Sequence, residues 1–292
     1  MTPQSAILDP VPAHARHLFF ELKPATAPLA ALRALAAACD GSSAVLGIGA
    51  GVAAALGVHL PGLRAFPELP AARPAIPVTQ HALWLWLRGG EPGDLLLQGH
   101  AVEALAAPAF TRVQAIDSFR HRDSRDLTGY EDGTENPKDE AAVEAAIAQG
   151  LGAGIDGSSF AAVQQWLHDF PTFDAMPRSE QDNCFGRRRD DNEELDDAPG
   201  SAHVKRTAQE DFEPEAFVVR RSMPWVAGAD AGLVFLAFGK SFDAYEAQLR
   251  RMTGHDDGIS DALFSLTRPL TGGYYWCPPL GAAGVDLQAL GL

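Results

Sequence analysis

The segment Gly129–Pro137 combines residue types that can do chemistry at a tight turn. Asp132 lies between Gly129 and Gly133, and Asn-Pro ends the segment. Glycine lacks a Cβ atom, so the backbone can turn sharply here or approach a flat ligand closely. An acidic turn between two domains is one alternative. A calcium-binding loop is a weaker one, because the segment lacks alternating oxygen ligands and the glutamate that such a loop needs at its end.

A histidine and a pair of arginines follow in the second half of the chain. His203 stands in Ser-Ala-His-Val, and Arg220 and Arg221 end an apolar strand further along. Successive strand residues point to opposite faces, so at most one of the arginines enters the interior. A buried arginine is costly unless it meets an anion or a polar ligand. Taken separately, the histidine could be structural and the arginines could lie on the surface; together they indicate a site.

Asp261 is a further candidate, since it directly precedes an apolar segment. A helix cap is the alternative role for this residue. The sequence does not support the other common motifs of binding or catalytic sites. The glycines of Gly47–Gly51 follow a strand, but their spacing and the missing parallel βαβ context argue against a dinucleotide site. The sequence also has no phosphate loop, no nucleophile elbow and no histidine pair at helical spacing for zinc.

A duplicated pattern of strands and helices must position these residues. The first half reads β-α-β-β-α-β, the order of a ferredoxin-like unit, and this order recurs after Pro137. We therefore predict an α+β fold of two ferredoxin-like domains, residues 1–137 and 138–292, with facing antiparallel sheets as in a dimeric α+β barrel. The predicted strands are Arg16–Leu22, Ala44–Gly49, Ala82–Arg88, Phe110–Phe119, Phe160–Leu167, Phe217–Met223, Gly232–Phe238 and Gly273–Cys277. The predicted helices are Ala27–Cys39, Asp94–Ala107, Phe173–Phe185 and Phe242–Met252, and the predicted loops are Pro61–Pro77 and Arg187–Gly200.

Composition excludes several classes of function. The 292 residues are 46% hydrophobic and 21% charged, which suits a globular protein with an ample core. With 38 acidic and 23 basic residues the formal charge is −15, which argues against a nucleic-acid partner. Apolar segments such as Ala101–Ala107 fall well short of the ~18 residues of a membrane span. Three separated cysteines and an N-terminus without an export signal predict a cytoplasmic location.

Taken together, these segments resemble the dye-decolourising peroxidase family. Gly129–Pro137 is similar to its Gly-x-x-Asp-Gly signature with a Thr-x-Asn-Pro tail, and Ser201–Val204 to its proximal-histidine segment. Val219–Pro224 is similar to its distal-arginine segment, and Asp256–Tyr275 to its C-terminal block. The four segments follow the family's order, and the resemblance is weaker in the first half of the chain. The compact chain and the absent export signal indicate the shorter, intracellular subgroup, type B.

The resemblance implies one haem b per chain, in the C-terminal domain, with the Asp132 loop above it. It implies His203 as the axial ligand of the iron and Asp261 as acceptor of the other ring N–H. On the opposite face, Asp132 would move the peroxide proton and Arg220 would supply a fixed positive charge. Which of the two dominates stays open, although we expect Arg220 to be indispensable, because its charge does not titrate near neutral pH. The further cofactor-binding residues that the resemblance implies are Gly133, Thr134, Ser222, Phe238 and Arg187, the last toward a haem propionate.

The implied function is a haem peroxidase that uses hydrogen peroxide to oxidise dyes, phenols or other small organic donors through a ferryl intermediate. Ser222 stands where some relatives carry asparagine, so peroxide reactivity is expected to be altered rather than lost. The main alternative is a haem-handling protein for porphyrin or iron transfer, which needs His203 but not both Asp132 and Arg220. A haem-free scaffold and a chlorite-dismutase-like enzyme are further alternatives.

Partners follow from the same considerations. We expect a homo-oligomer, because large sheet surfaces favour symmetric pairing, and we expect no encapsulating shell, because the C-terminal tail is short. Donors too bulky for a narrow pocket would give their electrons at the haem edge or through aromatic side chains. The sequence does not single out one of the candidate aromatic residues, which are Trp84, Trp86, Trp166, Trp225, Trp276, Tyr130, Tyr274 and Tyr275.

Overall fold

Strands and helices alternate along the chain in the predicted order. The structure, a computed structural model, describes residues 1–70, 72 and 74–292. Its strands are β1 (His14–Leu22), β2 (Ala44–Ile48), β3 (Leu83–Gly89), β4 (Phe110–Phe119), β5 (Ser159–His168), β6 (Val219–Arg220), β7 (Met223–Ala227), β8 (Asp230–Gly239), β9 (Thr267–Pro269), β10 (Gly273–Cys277), β11 (Leu280–Gly281) and β12 (Gly284–Val285). Its α-helices are α1 (Leu29–Ala38), α2 (Ala50–Ala55), α3 (Pro92–Ala106), α4 (Asp139–Ala146), α5 (Phe170–Ala175), α6 (Arg178–Phe185), α7 (His203–Arg206) and α8 (Asp243–Met252). Short 3₁₀ turns span Ser5–Ile7, Gln209–Asp211, Ala262–Ser265 and Gln288–Leu290.

Strand β3 shows why the sheet is buried on both faces. Its segment Leu83–Leu87 alternates leucine with tryptophan, and all of these side chains are buried. Successive strand residues point to opposite faces of a sheet. The leucines pack with Leu32 of α1 and Val102 of α3, whereas the tryptophans pack with Phe238 on the other face. One face is therefore covered by helices and the other lines an interior between strands.

Both halves of the chain have the strand order of a ferredoxin-like unit. The order is β4-β1-β3-β2 in the first half and β7-β8-β5-β10 in the second, and the paired strands are antiparallel. Two further pairings join the halves, β4 with β7 at Ser118 and Trp225, and β2 with β10 at Ile48 and Trp276. These eight strands form one closed barrel, which leaves their edges paired. The predicted fold class is confirmed, while the domain boundary between residues 137 and 138 stays a prediction.

The predicted strand Phe217–Met223 is interrupted in the structure. Strand β6 pairs with β8, then the pairing breaks, and β7 resumes it in the same register. Ser222 explains the break, because its Oγ, rather than a backbone oxygen, lies 3.4 Å from the Leu236 amide nitrogen and accepts its hydrogen bond. Arg220 still pairs with Ala237 of β8, and the Arg221 amide still donates to the Leu236 carbonyl at 2.8 Å, so strand alternation continues through the interruption.

Other differences from the predicted elements are local. The predicted helix Phe173–Phe185 is divided into α5 and α6, because Pro177 lies between them in an extended conformation and cannot continue a helix. Helices α2, α4 and α7 were not predicted. Within the predicted loop Pro61–Pro77 the described residues form no helix or strand, and Ala71 and Arg73 lie outside the description. In the part of the chain that is described, no helix is both long and apolar enough to cross a membrane.

The barrel interior encloses a histidine. His17 stacks with Trp84 and Trp86 at ring-centroid distances of 6.0 and 6.3 Å. The indole N–H of Trp84 donates to His17 Nδ1 at 3.2 Å, and His17 Nε2 lies 3.3 Å from Ser118 Oγ. Burial lowers the pKa of His17 from its ordinary value of 6.5 to about 3, because a buried imidazolium loses its hydration. The folded protein therefore keeps this ring neutral at mildly acidic pH.

This buried ring predicts a specific acid sensitivity. The unfolded chain protonates His17 near pH 6.5, so the free energy of unfolding falls as pH drops from there toward about 3. The slope attributable to one such group is about 1.4 kcal/mol per pH unit. We expect His17→Gln to show a shallower dependence than wild type in urea unfolding between about pH 7 and about pH 4. The exposed His59→Gln should keep the wild-type slope, and a wild-type slope in His17→Gln would contradict the assignment.

Candidate active site

A cavity of about 310 Å³ lies against the helix-covered face of the second half's sheet. In the first half, apolar residues of α1 and α3 fill the corresponding layer. In the second half, β5 and β8 form the floor, while α7, α8 and the Gly129–Pro137 loop form walls. Part of the lining is apolar, which suits a flat organic ligand. The apolar and aromatic members of the lining are Tyr130, Trp166, Phe185, Val204, Ala208, Leu233, Phe235, Tyr245, Leu249, Met252, Leu263 and Leu266.

His203 and Asp261 meet at one wall of this cavity. His203 is the first residue of α7, and its Nδ1 lies 2.7 Å from Asp261 Oδ2. The Asp261 side chain is fully buried, and its other oxygen accepts a hydrogen bond from the Leu263 amide at 2.9 Å. Asp261 thus caps the 3₁₀ turn and also contacts the histidine, which joins the two roles considered from the sequence. No hydrogen bond within the described residues engages His203 Nε2, and this nitrogen is available to a ligand in the cavity.

Asp132 and Arg220 lie together in the lining. Arg220 Nη1 is 3.6 Å from Asp132 Oδ1, and the two side chains are 17% and 20% exposed. The neighbouring Arg221 turns the other way and donates to the Leu8 carbonyl at 2.6 Å. Its burial, together with nearby Arg88, lowers the pKa of Arg221 to about 10. The two arginines therefore point to opposite faces, as strand alternation predicts.

Two side-chain amides fasten the Asp132 loop to strand β6. Asn136 accepts from the Arg220 amide at 2.7 Å and donates to the Arg220 carbonyl at 3.0 Å. Gln209 donates to the Glu135 carbonyl at 2.9 Å and accepts from the Val218 amide at 3.0 Å. These contacts replace the backbone ladder that an adjacent strand would supply. They hold the Asp132 backbone beside the Arg220 backbone.

Gly133 supports this arrangement without lining the cavity. Its φ is +81°, and a Cβ atom there would stand 2.7 Å from Asn136 Nδ2. A larger residue would therefore displace the amide that holds Arg220. The structure places Gly133 behind the site, and we find no direct contact between it and the cavity among the described residues.

Charged residues surround the rest of the lining. Arg187, 16% exposed, donates to Glu135 Oε1 at 2.6 Å and to the Asn192 carbonyl at 3.1 Å. Thr134 lines the same side, and its Oγ1 accepts from Asn192 Nδ2 at 2.8 Å. Lys205 is a third cation in the lining, besides Arg187 and Arg220, and its Nζ donates to Glu194 Oε1 at 2.8 Å. The structure therefore brings Arg187 and Thr134 into the cavity with Asp132, Arg220 and His203.

Phe238 was expected to line the cavity, and the structure corrects this. The β8 residues that line it are Leu233 and Phe235, and Phe238 has the opposite parity along a strand that pairs regularly with β5. Its ring packs inside the barrel, 6.3 Å from Trp84 and 6.0 Å from Trp86. Strand alternation alone places it there.

Ser222 also lies outside the main cavity. It lines a separate void of about 10 Å³ beside Asp132, together with Arg120 and His121. This volume is about that needed for one water molecule. Ser222 therefore neighbours Asp132 rather than contacting a ligand in the main cavity.

The sequence missed a buried polar network in the cavity wall. His168 Nε2 lies 2.9 Å from Asp126 Oδ1, and His168 Nδ1 lies 2.8 Å from Thr267 Oγ1. Burial acts to raise the pKa of Asp126, but hydrogen bonds from His168 and Thr128 hold it below its ordinary value. Both ring nitrogens of His168 are occupied, whereas Nε2 of His203 is not. No sequence motif predicts the pairing of His168 with Asp126, because the two residues are far apart in the chain.

The described residues contain no cluster of three or more histidine, cysteine, aspartate or glutamate side chains able to hold a metal ion. Porphyrin-bound iron, whose macrocycle supplies four ligands, can take a further ligand from a single imidazole such as that of His203.

Comparison with known proteins agrees with this geometry. The family profile described as Dyp-type peroxidase, C-terminal, matches residues 123–282. A dye-decolorizing peroxidase of Mycolicibacterium paratuberculosis is 31% identical over 222 residues, which cover 74% of this chain and 63% of that protein. The chain therefore spans somewhat less than two thirds of that relative's length.

Solved structures match over nearly the whole chain. A dye-decolorizing protein from V. cholerae has a TM-score of 0.85 at 26% identity and covers 98% of both chains. A variant of Rhodococcus jostii RHA1 DypB, solved in complex with heme, has a TM-score of 0.83 at 26% identity and covers 95% of this chain and 96% of its own. These likenesses, with the profile match over more than half of the residues, confirm the family indicated by the motifs. The chain belongs to the dye-decolourising, or Dyp-type, peroxidase family.

Proposed function

We propose that this chain binds one haem b and uses hydrogen peroxide to oxidise small organic donors such as dyes and phenols. The observation that carries the proposal is one cavity that holds three complementary groups. These are the open Nε2 of His203, the carboxylate of Asp132 and the guanidinium of Arg220. The family relationship supports the same function.

The residues present fit a haem. The apolar part of the lining suits the flat macrocycle, and Arg187 and Lys205 offer cations for its propionates. His203 would bind the haem iron through Nε2. Asp261 would keep the Nδ1 proton in place, so that Nε2 carries the free electron pair.

Bound haem would supply an iron centre that accepts oxidising equivalents from peroxide and passes them to donors one electron at a time. Asp132 would take the first proton of hydrogen peroxide and return it to the departing oxygen. Arg220 would keep its positive charge throughout and stabilise the negative charge that develops on the peroxide oxygens. Asn136 and Gln209 would hold these two side chains in register during the proton transfer.

A haem-handling protein is the second candidate, and the distal pair argues against it. Porphyrin transfer or iron release needs His203 but gains nothing from a carboxylate 3.6 Å from a guanidinium inside the cavity. Partial burial of the two charged groups costs hydration free energy. A catalytic role explains why the site retains both groups in spite of this cost. A haem-free scaffold would not explain why Nε2 of His203 faces the cavity without a hydrogen-bond partner among the described residues.

The wider setting is part of the same proposal. We place hydrogen peroxide and small organic reductants as substrates, a homo-oligomer as the assembly, and the cytoplasm as the location. The three cysteines Cys39, Cys184 and Cys277 are all free, which supports a reducing compartment. The formal charge of −15 supports the absence of a nucleic-acid partner. We propose no membrane partner and no encapsulating shell.

Binding of the haem iron by His203 can be tested directly. We expect the purified protein to bind haem at one per chain with an intense Soret band, and His203→Gly to lose that spectrum and regain it when imidazole is added. The matched control is His168→Gln, in the same cavity wall, which should keep the histidine-ligated spectrum because both its ring nitrogens already have partners. Wild-type protein that binds no haem, or His203→Gly with an unchanged spectrum, would refute the proposed function.

A further inference from the structure

Tyr130 has a contact that the proposed peroxide chemistry does not use. It lines the cavity in the loop that carries Asp132, and it is only 3% exposed. Its hydroxyl donates to Asp182 Oδ1 at 2.5 Å. Its ring stacks on Phe185 at a centroid distance of 3.7 Å and an interplanar angle of 11°. A buried phenol usually has one hydrogen-bond partner, and a neutral acceptor would be enough. Here the acceptor is a carboxylate, which can also take up the proton.

The surroundings give Asp182 two further hydrogen-bond donors and connect it to solvent. Asp182 Oδ1 also accepts from Arg178 Nε at 3.1 Å and from the Arg189 amide at 3.2 Å. The Asp182 side chain is 14% exposed, and Arg178 continues to the exposed Asp190. The phenol thus has the cavity on one side and a short polar path to the surface on the other.

A second tyrosine in the same cavity shows what is distinctive here. The Tyr245 hydroxyl donates to Gln164 Oε1 at 2.6 Å. An amide oxygen accepts a hydrogen bond but does not take the proton at neutral pH. Loss of an electron makes a phenol strongly acidic, so oxidation of a buried tyrosine proceeds easily only where a base can accept the proton. Of these two cavity-lining tyrosines, Tyr130 has that base and Tyr245 does not.

We propose that Tyr130 is a redox relay between the cavity and donors at the surface. This inference rests on the proposed function, because the peroxide reaction supplies the oxidant. In the relay step Tyr130 gives one electron to the peroxide-oxidised site and its hydroxyl proton to Asp182. The products are a neutral tyrosyl radical and a protonated carboxyl group. A phenolic donor then gives one electron to the radical while Asp182 returns the proton, which restores both Tyr130 and the Asp182 carboxylate. The donor is left as a phenoxyl radical, and its own hydroxyl proton passes to solvent.

Phe185 and Arg189 fit this role. The stacked Phe185 ring excludes water from one face of the phenol, and the Arg189 guanidinium lies 6.0 Å from the Tyr130 ring centroid. Burial and the Asp182 carboxylate raise the pKa of the Tyr130 phenol above its ordinary value. The resting residue therefore keeps its proton until the electron leaves.

The test is rapid-freeze electron paramagnetic resonance of the haem-loaded protein after mixing with hydrogen peroxide. We expect a tyrosyl signal in wild type that narrows with ring-deuterated tyrosine and is lost in Tyr130→Phe. The matched control Tyr245→Phe should keep it. Tyr130→Phe removes only a hydroxyl group, and Asp182 retains its two other donors. Asp182→Asn should slow radical formation by at least ~10²-fold, as expected for loss of a proton-accepting group.

The possible outcomes distinguish a failure of the relay from a failure of the proposed peroxidase function. A wild-type protein that binds no haem or does not react with peroxide overturns both proposals. A protein that reacts with peroxide but forms no tyrosyl radical, or whose radical persists in Tyr130→Phe, overturns the relay alone. A spin-trap adduct found by mass spectrometry on the peptide containing Tyr130 would support the relay, and an adduct only on Tyr245 would overturn it.

Discussion

Replacing Asp132 by asparagine is expected to slow the reaction of the haem-loaded protein with hydrogen peroxide by ~10²–10⁴-fold. Asparagine has nearly the same size and can still contact Arg220, but it cannot take a proton. The loop itself should keep its place, because Asn136 and Gln209 hold it through the backbone of neighbouring residues. The measurement is the second-order rate constant from stopped-flow absorbance at the Soret band.

Glu131 offers the matched control for this variant. It belongs to the same loop and also lines the cavity, but its carboxylate is held by Arg125 at 2.7 Å and by Asn192 at 2.9 Å. Glu131→Gln removes one negative charge from the loop, as Asp132→Asn does, without removing the proposed proton acceptor. A similar loss of rate in both variants would mean that loop charge matters and the position of the base does not. An unchanged rate in Asp132→Asn would leave Arg220 to act alone.

The sequence predicted those site residues whose neighbours in the chain form a motif. His203, Asp132 and Arg220 each lie in a short segment whose residue types constrain the backbone, and the structure brings all three into one cavity. Asp261 was predicted with two alternative roles, and one carboxylate can have both because its two oxygens point to different partners. The β-α-β-β-α-β order predicted the fold, since apolar alternation defines strands before any tertiary contact is known.

The missed features depend on pairing across the chain. Gln209, the His168–Asp126 pair and the Tyr130–Asp182 pair join residues 42 to 74 positions apart, and no local pattern specifies such partners. Phe238 is a different kind of error. Leu233 and Phe235 line the cavity, so an uninterrupted strand must turn Phe238 away from it, whereas the family resemblance implies that Phe238 faces the haem.

Ser222 shows a further limit of sequence interpretation. In a strand of uniform alternation, Arg220 and Ser222 would share one face. The Ser222 hydroxyl accepts a hydrogen bond from the Leu236 amide of β8, and Ser222 lines the small void next to Asp132 rather than the main cavity. The surroundings of such a residue can thus be predicted only when the hydrogen-bond partner of its side chain is known.

Replacing Arg220 by alanine is expected to slow the reaction with hydrogen peroxide by roughly 10²–10³-fold, the usual loss when one fixed electrostatic donor is removed. Arg220→Lys should recover part of the rate, because it restores a charge but not the planar fork of donors. The matched control is Arg221→Lys, whose side chain points to the Leu8 carbonyl and away from the cavity. A wild-type rate in Arg220→Ala, or an equal loss in Arg221→Lys, would contradict the assignment.

The double variant Asp132→Asn/Arg220→Ala then decides how the two residues divide the work. Their charged groups are 3.6 Å apart and are proposed to act on the same peroxide molecule. Removing either one disturbs what the other does, so the combined loss should be smaller than the product of the two single losses. Losses that multiply would show instead that the residues act in separate steps. If they act as a unit, the larger single loss identifies the residue on which peroxide activation depends, and we expect that residue to be Arg220, because its charge does not change with pH near neutrality.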